Sequence, residues 1–222
     1  MRENVLLTWS GGKDSVLALH DMLQAGNYEI EALLTTITAE YDRISLHGVR
    51  SALLKKQANS LGYKLEKIPI PKNCSNEEYN SKMQTVLEKY SAHGLNKVVF
   101  GDIFLEDVRD YREKNLKKIG MTGIFPLWKK NTHELAQTFI DLGFKAIITC
   151  IDTKALDKSF IGRPFDEQFL KDLPISVDPC GENGEFHTFV YDGPVFKERL
   201  TFSKGETVLR NEQFYFCDLI PG

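Results

Sequence analysis

The sequence predicts a doubly wound, mostly parallel α/β sheet followed by a smaller C-terminal α+β part, and three observations carry that prediction. Apolar, β-branched runs alternate with stretches of helical period from Val5 to Ile151. A glycine turn, Ser10-Gly11-Gly12-Lys13-Asp14-Ser15, separates the first such run from the first helical stretch. After Phe160-Ile161-Gly162-Arg163-Pro164 the alternation breaks, and the tail from Phe186 reads as several strands.

Taken in order, residues 5–9 form a short apolar run and predict the first strand, with a helix over residues 15–26 ending at Gly26. Residues 30–38, IEALLTTIT, are almost continuously apolar or branched, as in a strand covered on both faces. Residues 41–50 are polar and irregular. Leu53, Leu54, Ala58 and Leu61 then mark a helix closed by Gly62, and residues 64–70 a third strand stopped by Pro69 and Pro71. Ser75 or Asn76 caps a helix to residue 92, with Glu77 and Glu78 in its first turn. Residues 97–103 predict a fourth strand, residues 106–120 a charged helix, and residues 123–128 a short fifth strand. Asn131 or Thr132 caps a helix ended by Gly143; residues 145–151 form a further strand, and residues 166–171 a short helix. No linker or repeat divides the chain. A boundary near Trp128, giving domains 1–127 and 128–222, places a cleft between the two parts.

At 222 residues, 42% hydrophobic and 27% charged, the chain buries a full core and is neither disordered nor membranous. No apolar run approaches the roughly 18–20 residues of a membrane span, so no membrane partner and a cytoplasmic location are expected. A net charge of -3, from 28 basic and 31 acidic residues, gives no general pull toward nucleic acid. Cys74, Cys150, Cys180 and Cys217 are widely spaced, without C-x-x-C. That argues against a zinc ribbon, an iron–sulfur cluster or a disulfide framework and leaves them as buried or idle thiols.

Two stretches concentrate chemistry. In Ser10–Ser15 the glycines admit an anion close to the backbone, and the N-terminus of the following helix points free N–H groups and a positive dipole at it. The spacing is not that of a Walker P-loop, which needs Gly, four residues and Gly-Lys-Ser/Thr. The second stretch, Asp178-Pro179-Cys180-Gly181-Glu182-Asn183-Gly184-Glu185-Phe186-His187-Thr188, reads as an exposed loop entering a strand. Composition alone also allows a plain glycine-rich hairpin turn there.

SGGKDS resembles the SGGxDS loop of the PP-loop ATP pyrophosphatases, which cleave ATP between its α and β phosphates. With residues 182–188 the chain resembles the diphthine-ammonia ligase branch of that family, which pairs the loop with a C-terminal E-G-G-E-[FY]-E-T element and a following D-G-P. Glu182, Gly184, Glu185, Phe186 and Thr188 match, as do Asp192-Gly193-Pro194, while Asn183 and His187 depart. Gly101-Asp102-Ile103, the ED-x-R-x-Y-R helix at residues 106–112, G-x-x-P-L-W at residues 123–128 and Gly162-Arg163 also look familial, so the likeness covers nearly the whole chain.

The resemblance implies a Rossmann-like sheet of the adenine nucleotide alpha hydrolase type and an ATP-dependent ligase. It would turn the carboxylate of diphthine, a modified histidine on elongation factor 2, into an amide with ATP and ammonia. The departures at Asn183 and His187 leave another carboxylate acceptor open, and a homodimer is among the assemblies expected. Ser10, Gly11, Gly12, Lys13, Asp14 and Ser15 would hold the nucleotide, with Lys13 countering charge on departing pyrophosphate. Asp14 would hold magnesium or simply cap the helix, and Asp102 would hold magnesium or substrate. Glu182 and Glu185 would divide ammonia and acceptor between them. Arg109, Arg112, Asn183 and His187 would contact the substrate, with solvated-face readings open for the arginines and structural ones for His47 and His187. Two other readings remain: a different AMP-forming PP-loop enzyme such as a tRNA-modifying one, and a regulatory module that binds ATP or AMP without turnover.

Overall fold

A computed structural model describes residues 2–222. The chain runs β1 (Glu3–Thr8), α1 (Lys13–Ala25), β2 (Tyr28–Thr38), β3 (Arg43–Ile44), α2 (Ser51–Leu61), β4 (Leu65–Ile70), α3 (Asn76–Ser91), β5 (Lys97–Val99), α4 (Glu106–Lys117) and β6 (Thr122–Ile124). It continues through α5 (Thr132–Asp141), β7 (Lys145–Asp152), α6 (Glu167–Asp172), β8 (Phe186–Asp192), β9 (Phe202–Arg210) and β10 (Phe214–Pro221).

β1 pairs in parallel with β2 on one side and β5 on the other; β4 extends the sheet beyond β2 and β6 beyond β5, also in parallel. Successive residues of β1 therefore bury opposite ways. Val5 and Leu7 face the core under α1 and α2, while Leu6 faces the one under α3 and α4, with Leu87, Val98 and Leu116. The strand order reverses at β1, so the carboxyl ends of β1 and β5 open a crevice where a doubly wound sheet takes its ligand.

β3 is antiparallel to β2 and takes Ile37 and Thr38, beyond the point where β1 stops pairing at Leu34. Because β4 occupies the other edge of β2 at those residues, β3 lies on the β1 side, over the end of β1. The polar stretch expected to be irregular is thus a hairpin roofing the crevice.

β7, β8, β9 and β10 form a second, antiparallel sheet in the order β8-β7-β10-β9. One apolar core runs through both sheets, joining Val16, Leu17 and Leu53 to Phe139, Phe186 and Phe189. β5 stops at Val99 rather than reaching residue 103, because the chain leaves the sheet to pass over the start of α1. A Cβ on Gly101 would stand 3.0 Å from the Asp14 carbonyl carbon. β6 likewise ends at Ile124.

Candidate active site

Phosphate-loop geometry begins at Gly11. Its φ of +75° suits glycine, and a Cβ there would meet Leu54 Cδ1 at 2.6 Å and Gln57 Oε1 at 2.8 Å. α1 starts at Lys13 behind Gly12, which caps it without a side-chain hydrogen bond. Asp14 is therefore not the cap. Ser15 Oγ donates to the Gly12 carbonyl at 2.9 Å, and Ser10 Oγ accepts from Gly12 N–H at 3.2 Å, so the two hydroxyls first shape the loop.

Gln57 of α2, fully buried, fixes the turn from behind. Its Nε2 donates to the carbonyls of Gly11 (3.0 Å) and Val190 (2.6 Å), and its Oε1 accepts from Trp9 Nε1 (2.8 Å). The C-terminal sheet completes the clamp: Val190 N–H donates to the Gly11 carbonyl at 2.9 Å, and Lys13 N–H donates to Thr188 Oγ1 at 3.0 Å.

Lys13 is only 2% exposed. Its Nζ donates to both oxygens of Asp14, at 2.8 and 2.9 Å, and to the Cys180 carbonyl, and lies 5.5 Å from the Phe186 ring centroid. Burial pulls its pKa down, but the Asp14 carboxylate more than offsets that, so it remains a cation. It is a buried tie between the two loops rather than a solvated lysine. Asp14 keeps about a third of its side chain (30%) open.

From the other wall, Glu182 Oε1 accepts from the N–H of Ile103 at 2.7 Å and, more weakly, of Phe104 at 3.4 Å. Burial pushes its pKa up to about 7, helped by Asp14 and opposed by the Ile103 N–H and Lys13. Asp102 stands beside it, held by Arg112 through Nε (2.5 Å) and Nη2 (3.0 Å). Burial lowers the Arg112 pKa and Asp102 outweighs it, leaving the guanidinium charged. Ser10, Lys13, Asp14, Ser15, Asp102, Arg112, Glu182 and His187 line one cleft of about 350 Å³, a size within the roughly 300–1,000 Å³ of small-molecule sites.

Glu185, Asn183 and Arg109 do not line this cleft. Glu185 is 8% exposed, and its Oε1 accepts from Asp178 N–H and Asn183 Nδ2, both at 3.0 Å, so the two side chains brace the loop that presents Glu182. Arg109 pairs with Glu113 at 2.7 Å and lies over Phe125 and Trp128 on the outer face of α4. Cys150 and Cys180 are buried, and burial pushes each thiol up to about 12, which leaves no reactive thiolate there.

Sequence reasoning passed over Gln57, and it named Thr188 as a match to the C-terminal element without giving it a role. Gln57 had a legible signal: it falls on the apolar face set by Leu53, Leu54, Ala58 and Leu61, where an unpaired amide would be costly.

A parallel sheet with a glycine phosphate loop at its switch point, facing an acidic loop across a cleft, defines a nucleotide-dependent PP-loop protein. More narrowly, the chain belongs to the diphthamide synthase family: residues 1–123 match the diphthamide synthase N-terminal domain and residues 131–218 the C-terminal domain. It is similar to the curated diphthine–ammonia ligase of Bos taurus, 28% identical over 225 residues, covering 90% of this chain and 82% of that protein. The diphthine–ammonia ligase of Homo sapiens is 26% identical over 228 residues (91% and 84%), and that of Mus musculus is 26% identical over 227 (91% and 84%).

Proposed function

We propose that this chain is an ATP-dependent, AMP-forming amide ligase acting on diphthine and ammonia. The observation that carries this reading is the joining of the two loops: the phosphate loop and the Glu182 loop are tied together by Lys13, Cys180 and Thr188 around one cleft. A carboxylate needs activation before ammonia can displace its oxygen. The acceptor carboxylate attacks the α-phosphorus, pyrophosphate departs, and ammonia attacks the acyl-adenylate carbon, releasing AMP and one proton.

The free N–H groups at the start of α1 and the Lys13 charge favour the phosphates. Glu182, its pKa raised by burial toward neutrality, orients ammonia and takes its proton. Arg112 and Asp102 position the acceptor side, together with His187. Residues 1–127 bind nucleotide and lend Asp102 and Arg112 to the acceptor side, and residues 128–222 supply the Glu182 loop and His187.

Magnesium fits this donor set as a companion of the phosphates. Among the described residues no cluster of three His, Cys, Asp or Glu forms a metal cage, and a phosphate-bound magnesium needs only one or two carboxylates. The partly open Asp14 would supply one, and the ion would draw charge off the phosphates. No helix among the described residues is long and apolar enough to cross a membrane. The reading places the enzyme in the cytoplasm, with the diphthine of elongation factor 2 as acceptor.

The test is incubation with α-labelled ATP, magnesium, ammonia and a diphthine-bearing protein. AMP and pyrophosphate formed in step with the amide are expected. ADP and phosphate would overturn the ligase assignment, and nucleotide binding with no turnover on any carboxylate would favour a regulatory module.

A further inference from the structure

Over the phosphate loop stands a side chain that the ligase reading leaves unused. The hairpin following β2 is fastened at its base to the last strand. Asp218 of β10 accepts from Arg43 Nη1 at 2.7 Å and from Arg50 Nε and Nη2 at 3.0 and 2.6 Å, and Arg43 also donates to the Gly48 carbonyl at 2.7 Å. Arg50 and Arg43 together hold the Asp218 carboxyl far below its usual range, so the latch stays charged.

That latch sets His47 against the loop: a Cβ on Gly12 would lie 3.1 Å from His47 Cε1. The ring stacks on His187 with centroids 4.4 Å apart and planes tilted by 33°. Nδ1 lies 3.3 Å from the Thr188 carbonyl, which can only accept, so Nδ1 carries the proton and Nε2 the lone pair. Nε2 has no hydrogen-bond partner among the described residues, and His47 lines the cleft.

We propose that His47 binds the outer phosphates of the nucleotide through Nε2, taking up a proton from solvent as it does so. This rests on the assignment of Ser10–Ser15 as the phosphate site. The charged or titratable groups around the ring are Lys13 from α1 and His187 from β8, with Asp14 and Glu182 elsewhere on the cleft wall. Among these protein groups the ring is neutral, its pKa pushed down to about 4 by burial and by Lys13 against the Thr188 carbonyl. A phosphate one hydrogen bond away adds an anion that reverses this balance. His187, held well below the usual range by burial, His47 and Lys13, stays neutral and stacks on the imidazolium.

The experiment titrates full-length protein with α,β-methylene-ATP, which cannot be cleaved to AMP, in buffers of differing ionisation enthalpy at pH 7. Wild type is expected to take up more protons on binding than His47→Gln, which should bind roughly 10- to 100-fold more weakly. His133→Gln, an exposed histidine outside the cleft, should keep the uptake. Imidazole ¹⁵N spectra of the wild type, which do not depend on a variant folding, should show Nε2 becoming protonated in the complex. Equal uptake by wild type and His47→Gln, or an Nε2 that stays unprotonated, would overturn the role of His47 and leave the ligase reading standing. A protein that binds no analogue removes both.

Discussion

The backbone N–H of Lys13 donates to Thr188 Oγ1 at 3.0 Å, across 175 residues of chain. Lys13 opens α1 at the phosphate loop, and Thr188 lies on β8 of the other sheet. With the Val190 N–H bond to Gly11 and the Lys13 bond to the Cys180 carbonyl, this hydroxyl helps fix the glycine loop against the acidic loop that runs into β8.

Thr188→Val keeps shape and removes that acceptor, leaving the buried Lys13 N–H unpaired. The expected loss is about 1–3 kcal/mol of unfolding free energy with weaker nucleotide binding. Urea denaturation and calorimetry with a non-cleavable ATP analogue would measure both. Unchanged values for each would show that the two halves are held by other contacts.

Gln57→Leu should cost more, about 3 kcal/mol, since the Trp9 indole loses its acceptor and the carbonyls of Gly11 and Val190 each lose a donor, Gly11 keeping only that of Val190 N–H. Gln57→Glu keeps an acceptor for Trp9 but sets a buried carboxylate against the carbonyls of Gly11 and Val190, so it should be no more stable than the Leu variant. Melting temperatures of both variants well below wild type would agree; a Leu variant as stable as wild type would contradict the clamp.

Glu182 gives a pH signature. Its folded pKa of about 7 lies above the unfolded value near 4.5, so its contribution to stability is fully present below the lower value and is lost as pH rises toward and through 7. Relative to Glu182→Gln, wild type should therefore lose on the order of 1–2 kcal/mol between those limits, allowing for partial solvent screening. Amide formation should rise with pH through an apparent pKa near 7 and fall by roughly 100-fold or more in the Gln variant. A variant with the wild-type pH profile would remove Glu182 as the base.

Arg112→Lys keeps the charge but loses the two-pronged grip on Asp102 and the stacking on Phe100. An increase of about 10-fold in KM for the acceptor is expected, with kcat changed less. Arg109→Lys, on the outer face of α4, should leave both constants near wild type, and steady-state kinetics on the pair would separate the two arginines.

The alternating α/β pattern, the doubly wound sheet and the glycine turn that opens α1 were legible in the chain, because strand and helix periods and a glycine turn are local properties. The same holds for the caps at Ser75 and Asn131, whose side chains accept the N–H of Glu78 and of His133 and Glu134. What tertiary structure alone decided is which polar groups of the second loop face the cleft. Glu182 and Glu185 look equivalent in sequence, yet one is drawn to the Ile103 N–H at the cleft wall and the other is turned inward by Asp178 and Asn183. The placing of His47 by Asp218 and the pairing of Asp102 with Arg112 are likewise invisible along the chain. Each depends on a partner brought close by folding, and a carboxylate's or imidazole's role is set by the burial and charges around it rather than by its neighbours in sequence.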